Sequence, residues 1–208
     1  MQISKTKKLN QLASILWISN LQFFVLQFLV ALSFKPSYSI KSNTISDLGN
    51  TVCGPYGERL VCSPDYAWMN LSLAVLSLTM IAGSYLFLRL SKHTKLEVIG
   101  FSMMALSGLG SLLVGLFPEN SISSLHLLGA GLSFVFGNLA IILISKVRAN
   151  LYFRRISIFA GSTALILLAL LLTNNYLGIG LGGIERLVAY TQNVWMATYG
   201  ILRLKKSR

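Results

Sequence analysis

Residues 96–145 read LEVIGFSMMALSGLGSLLVGLFPENSISSLHLLGAGLSFVFGNLAIILIS, two apolar runs parted by a short polar link from Pro118 to Ser124. An α-helix rises 1.5 Å per residue, so each run of about 20 residues matches a hydrocarbon core about 30 Å thick. The pair therefore reads as two membrane crossings. A link this short forces them to lie side by side and antiparallel. The first run places Ser107, Ser111 and Gly115 at intervals of four, and the second does the same with Gly129, Ser133 and Gly137. Rows of small residues at that spacing let two helix backbones approach closely where lipid removes the hydrophobic drive.

Working outward, four further apolar runs appear, so that six segments can be drawn at about 11–33, 66–90, 96–117, 125–145, 156–173 and 186–203. The first follows Lys5, Lys7 and Lys8, as the apolar core of a signal peptide would, with Ala31 and Ser33 as a weak cleavage site. Its length from Leu12 to Ser33 instead suits a span, and signal peptide is kept as the alternative. Of the 208 residues, 54% are hydrophobic and 12% charged, too few polar groups to cover a soluble domain. The expectation is an all-α polytopic membrane protein, a single bundle of six transmembrane helices over residues 1–208. Between the first two spans, residues 34–65 carry Pro, Gly, Ser and Tyr without an apolar period, which reads as an ordered loop or small cap.

Orientation follows from the basic residues, which are held on the cytoplasmic face. With the N-terminus inside, that side carries Lys5, Lys7, Lys8, Arg89, Lys92, Lys95, Lys146, Arg148, Arg154, Arg155, Arg203, Lys205, Lys206 and Arg208. The other side keeps Lys35, Lys41, Arg59 and Arg186, a split of 14 to 4. Both termini are thus expected in the cytoplasm, in a multi-pass protein of the plasma membrane. The net charge of +12 is a topology signal with some affinity for anionic lipid, and it implies no nucleic acid. Five of the six acidic residues, Asp47, Glu58, Asp65, Glu119 and Glu185, fall outside, and Glu97 falls inside. Cys53 and Cys62 share the outer loop, in the compartment where a disulfide persists, and are expected to be joined. A redox-active pair is the alternative, but the spacing is not C-x-x-C.

Costly polar groups gather toward the outer ends of the helices. Asp47 lies in the run Asn43 to Gly49, Asn70 is near the start of the second span, Glu119 follows Pro118, and His126 opens the fourth span. Glu185 and Arg186 open the sixth, with Gln192 and Asn193 about two turns deeper. The expectation is a shared pocket facing the outer leaflet, lined by Asp47, Asn70, Glu119, His126, Glu185, Arg186 and Asn193, with Asp47 or Glu185 paired to Arg186. A nucleophilic arrangement can be assembled from Ser46, Asp47 and His126, or from Ser123 or Ser124 beside His126, although no nucleophile elbow is present. The competing reading has His126 bridging helix ends. Zinc would need His126 with Asp47, Glu119 or Glu185, and bis-histidine haem is excluded because His93 lies on the opposite face, so no metal or cofactor is assigned. The run Gly178, Gly180, Gly182, Gly183 follows a membrane helix rather than a strand, and reads as a turn rather than a phosphate loop.

These motifs resemble an uncharacterised family of six-helix membrane proteins catalogued as domain of unknown function 998. The resemblance covers nearly the whole chain. It rests on Ile45-Ser46-Asp47-Leu48-Gly49, on Val61-Cys62-Ser63-Pro64 leading to Met69-Asn70, on Leu113 to Glu119, on His126, and on Gly182 to Arg186 followed by Trp195. The Ile-Ser-Asp-x-Gly element is also similar to a eukaryotic six-helix family of autophagy modulators and lipid-anchor remodelling factors. Both resemblances imply that the outer motifs form one site and that membrane lipid is a ligand. Three classes of function follow as expectations: binding of a lipid or amphipathic molecule, a lipid hydrolase or transferase using His126 as base, and a non-catalytic subunit with a membrane-protein partner.

Overall fold

A computed structural model describes residues 2–148 and 150–206. Arg208, one of the inner basic residues counted above, lies outside them, as does the side chain of Arg148. The first span is built of α1 (Gln2–Ile18) and α2 (Gln22–Ser33), joined by a single 3-10 turn over Ser19–Leu21. Then follow α3 (Tyr66–Arg89), α4 (Lys95–Leu116), α5 (Ser123–Arg148), α6 (Leu151–Leu172) and α7 (Leu181–Lys205). The protein is an all-α polytopic membrane protein. Five segments are long and apolar enough to cross a bilayer: Lys5–Ser33, Tyr66–Arg89, Lys95–Leu116, Ser123–Lys146 and Leu151–Leu172.

The helices pack in chain order, α1–α2 on α3, α3 on α4, α4 on α5, α5 on α6 and α6 on α7, and α7 closes the ring against α1. Helix α7 is 25 residues long, and its polar residues Glu185, Arg186, Gln192 and Asn193 are all buried inside the bundle. It runs antiparallel to the first span, with contacts from Asn10 to Gln27. Asn10 Nδ2 donates to the Arg203 carbonyl at 3.0 Å, Asn20 Nδ2 meets Met196 Sδ at 3.4 Å, and Gln27 Nε2 reaches Tyr190 Oη at 2.5 Å. The start of α1 and the end of α7 therefore lie on the same side of the bundle.

Three devices fix this arrangement. The α4 N-terminus carries a capping box in which Thr94 and Glu97 satisfy each other's backbone N–H, and Asn150 caps α6. Within the first span, Asn20 accepts from Thr79 Oγ1 at 2.8 Å, and Gln22 exchanges bonds with Ser72 at 2.9 and 3.0 Å, polar ties that persist where no water competes. Trp17, Phe87, Phe101, Trp195 and Tyr199 form a cluster of rings 4.7–6.1 Å apart that fills the half of the bundle nearest the termini.

The α4–α5 seam shows where the small-residue reading holds and where it shifts. Ser111 Oγ lies 3.0 Å from Ser133 Oγ, and Ser107 Oγ donates to the Ser133 carbonyl at 2.9 Å. The closest backbone approach is at Gly110, where a Cβ would stand 2.5 Å from the Gly129 carbonyl oxygen. Gly115 instead faces α3, with the Asn70 carbonyl 3.0 Å from its missing Cβ. A row with a period of four drifts around a 3.6-residue helix, so its third member has turned toward the other neighbour.

The connection over residues 34–65 has more regular structure than its composition suggests. It contains a 3-10 turn at Ser46–Gly49 and a hairpin of β1 (Gly54–Tyr56) with β2 (Arg59–Val61), in the register Gly54 to Val61. The Cys53–Cys62 disulfide closes the hairpin at its base.

Candidate functional site

The site is organised around the turn at residues 44–49. Thr44 and Asp47 satisfy each other: the Asp47 carboxylate accepts from the Thr44 N–H at 3.0 Å, and Thr44 Oγ1 accepts from the Asp47 N–H at 3.0 Å. This is the reciprocal arrangement of a capping box, here nucleating a 3-10 turn. Beneath it, Asn70 Nδ2 on α3 donates to the Gly49 carbonyl at 3.0 Å. Gly49 is glycine because any Cβ there would lie 2.4 Å from Asn70 Oδ1.

Asp47 is fully buried, and its partner is Arg59, not Arg186. The Arg59 guanidinium grips it with two bonds, Nε to Oδ2 at 3.0 Å and Nη2 to Oδ1 at 2.8 Å, and Asn43 Nδ2 adds a third at 2.9 Å. Arg59 was not among the sequence candidates because only the hairpin, folding back on its disulfide, returns it to a residue 12 positions earlier. Burial alone would raise the Asp47 pKa, but the bonds from Arg59, Glu119 and Asn43 outweigh it and hold the carboxyl below its ordinary range. Glu119 shares a hydrogen bond with Asp47, and burial followed by that acidic neighbour raises its pKa to about 9. Glu119 therefore carries a proton at neutral pH and is the donor between the two carboxyls.

Arg186 leaves the cluster in the other direction. Its Nη1 donates to the carbonyls of Ile40, Asn43 and Gly182 at 3.1, 2.8 and 2.7 Å, and its Nη2 bonds the Tyr38 hydroxyl. Tyr38 in turn donates to the Thr44 carbonyl at 2.6 Å, and burial raises its pKa so that it stays protonated. Among the described residues no carboxylate lies within ion-pair distance of Arg186. Gly182 permits the contact, since a Cβ there would meet the Asn43 carbonyl at 2.0 Å.

His126 and Glu185 meet Ser46. Helix α4 stops at Leu116 because Pro118 has no N–H to continue it, leaving the Phe117 carbonyl free at the helix end. His126 Nδ1 lies 2.8 Å from that carbonyl oxygen, and Nε2 lies 2.9 Å from Ser46 Oγ. Glu185 accepts from the Ile45 N–H at 2.6 Å through Oε2, and its Oε1 stands 3.5 Å from Ser46 Oγ. The acid expected to orient His126, Asp47, is occupied elsewhere, and a helix-end carbonyl takes that place. Ser123 donates to the Glu119 carbonyl at 2.8 Å, which leaves Ser46 as the hydroxyl bonded to the imidazole.

A cavity lies directly inside the turn, walled by Phe23, Leu73, Leu76 and Val114 and edged by Ser46 and Glu185. It measures about 40 Å³. Its deeper polar edge is formed by Ser111, Ser133, Gln192 and Asn193. Gln192 bonds Ser133 Oγ and Ser107 Oγ at 3.1 and 3.0 Å, whereas the buried Asn193 Oδ1 has no partner. Among the described residues, no three His, Cys, Asp or Glu side chains stand together as a metal cage.

Fold and site define a polytopic membrane protein with a polar centre buried under an extramembrane cap. The chain matches the family described as "Protein of unknown function (DUF998)" over residues 21–202, and it belongs to that family. No curated protein and no solved structure matches it, so the likeness to the eukaryotic six-helix family gains no support.

Proposed function

We propose that the protein binds a lipid or similar amphipathic molecule from the outer leaflet, with its termini and the 89–95 and 146–155 loops in the cytoplasm. The observation that carries this reading is a groove of about 530 Å³ between α2, the following linker and α7. Phe24, Phe28 and Leu32 supply an apolar wall, and Tyr38, Arg186 and Tyr190 a polar one. Such a division suits a molecule with a tail along α2 and an anionic head at Arg186, whose hydrogen bonds among the described residues go to carbonyl and phenol oxygens. The basic split described above supports the orientation.

The test is purification in mild detergent with mass spectrometry of co-purifying lipid, comparing the wild type with Ala31→Trp, which fills the groove without touching the Arg186 bonds. An anionic lipid enriched over the detergent background in the wild type and depleted in the variant is the expected result. Equal lipid content in both, or none enriched in either, ends this reading and leaves a subunit of a membrane complex in its place.

A further inference from the structure

Ser46, His126 and the Phe117 carbonyl are linked in sequence, and Ser46 also lines a cavity that is separate from the groove. A carbonyl oxygen only accepts, so in the neutral imidazole the proton sits on Nδ1, toward Phe117. Nε2 is then a lone pair 2.9 Å from Ser46 Oγ, and the hydroxyl donates to it. This is the relation between a nucleophile, its base and the group that orients the base, with a helix-end carbonyl as the orienter. Glu185 acts as a positioning residue by holding the Ile45 N–H, and so fixes the backbone that presents Ser46. His126 is 5% exposed and Ser46 half-buried, so the pair is shielded without being sealed.

The neighbouring cavity supplies a second and independent observation. At about 40 Å³ it exceeds what one water needs, and the unpartnered Asn193 Oδ1 with the Ser133 and Gln192 groups gives polar contacts for a small guest. A site that merely latched the loop to α5 would have no use for that space beside the hydroxyl.

We propose that Ser46 is a nucleophile and His126 its general base in acyl transfer from a carboxylic ester of an amphipathic substrate. Ser46 Oγ bonds to the ester carbonyl carbon as its proton passes to His126 Nε2. The carbon–oxygen bond to the alcohol then breaks, and the alcohol leaves with that proton. A water molecule attacks the resulting acyl-serine, giving its proton to Nε2, which returns it to Ser46 Oγ as the carboxylic acid departs. An acceptor alcohol in place of water makes the same step a transfer.

The proposal stands apart from the groove, and the two fail separately. Its test is reaction of the purified full-length protein with a long-chain alkyl fluorophosphonate, in which Oγ bonds to phosphorus and fluoride leaves. Adduct mapping to Ser46, its loss in Ser46→Ala, and a rate about 10²–10⁴ lower in His126→Gln are the expected results. Glutamine can still hydrogen-bond Ser46 and so keeps a latch, but it cannot take the proton. Both variants are compared with the wild type at equal monodispersity and with the Cys53–Cys62 bond intact. An unreactive wild type, an adduct on another serine, or wild-type reactivity in His126→Gln overturns the assignment.

Discussion

Asp47 and Glu119 share one buried hydrogen bond, and their environments push them apart: Arg59 and Asn43 stabilise the charge on Asp47, while burial and that charge keep Glu119 protonated. The consequences for stability have opposite signs. Asp47 has its folded pKa below the unfolded value, so its contribution is present above the ordinary carboxylate range and is lost as pH falls through it. Glu119 has its folded pKa raised to about 9, so the folded state holds the extra proton and stability declines as pH rises toward 9. Thermal midpoints of the detergent-solubilised protein should accordingly drop between pH 7 and pH 9. Glu119→Gln should remove most of that drop, because the amide donates to Asp47 at every pH. A variant whose pH profile superimposes on the wild type would show that Glu119 holds no such proton.

At the scale of the helix pair, backbone contact and not side-chain volume sets the α4–α5 seam. A Cβ at Gly110 would lie 2.5 Å from both the Gly129 carbonyl oxygen and the Ser133 nitrogen, whereas one at Gly131 meets nothing within 4 Å. Gly110→Ala should therefore cost about 1–3 kcal/mol through overpacking. Gly131→Ala should be neutral or stabilising by up to about 1 kcal/mol from helix propensity. Thermal unfolding of the two variants side by side decides it, and equal effects would mean that the seam is not this close. The helices themselves were legible in the sequence because hydropathy and length act locally: the run read at 96–117 is the helix Lys95–Leu116. The small-residue rows were legible only in part, since whether Gly115 faces α5 or α3 depends on the rotation of α4 within the ring. The disulfide was readable from compartment and spacing, but the return of Arg59 to Asp47 was not. It depends on the hairpin register, which a three-residue strand pair does not announce. Ser46 and His126 were visible as residue types; their contact needs the free carbonyl left at Phe117 and the turn built by Thr44 and Asp47.

For the whole molecule, the sixth crossing follows from pairing more than from hydropathy. Helix α7 escapes a simple apolarity criterion because Glu185, Arg186, Gln192 and Asn193 face the bundle, where neighbours satisfy or surround them, and lipid meets the remaining face. The hydrogen bonds from Asn10 to Arg203 and from Gln27 to Tyr190 place α7 beside the first span from Asn10 to Gln27, so α7 crosses most of the thickness which that span crosses. An even number of crossings then puts both termini on one side, and the distribution of basic residues supports the cytoplasmic orientation proposed above. The disulfide makes this directly measurable: with Cys53 and Cys62 bonded to each other, an introduced cysteine is the sole free thiol in the protein. Lys92→Cys lies in the α3–α4 connection, and Ile122→Cys, at a position 50% exposed, lies in the α4–α5 link. A membrane-impermeant maleimide should label Ile122→Cys in intact cells and Lys92→Cys only after permeabilisation. The reverse pattern would invert the protein in the membrane, placing the Ser46–His126 pair on the cytoplasmic side. Labelling of both from outside would remove the span between them, and with it the ring that positions the site.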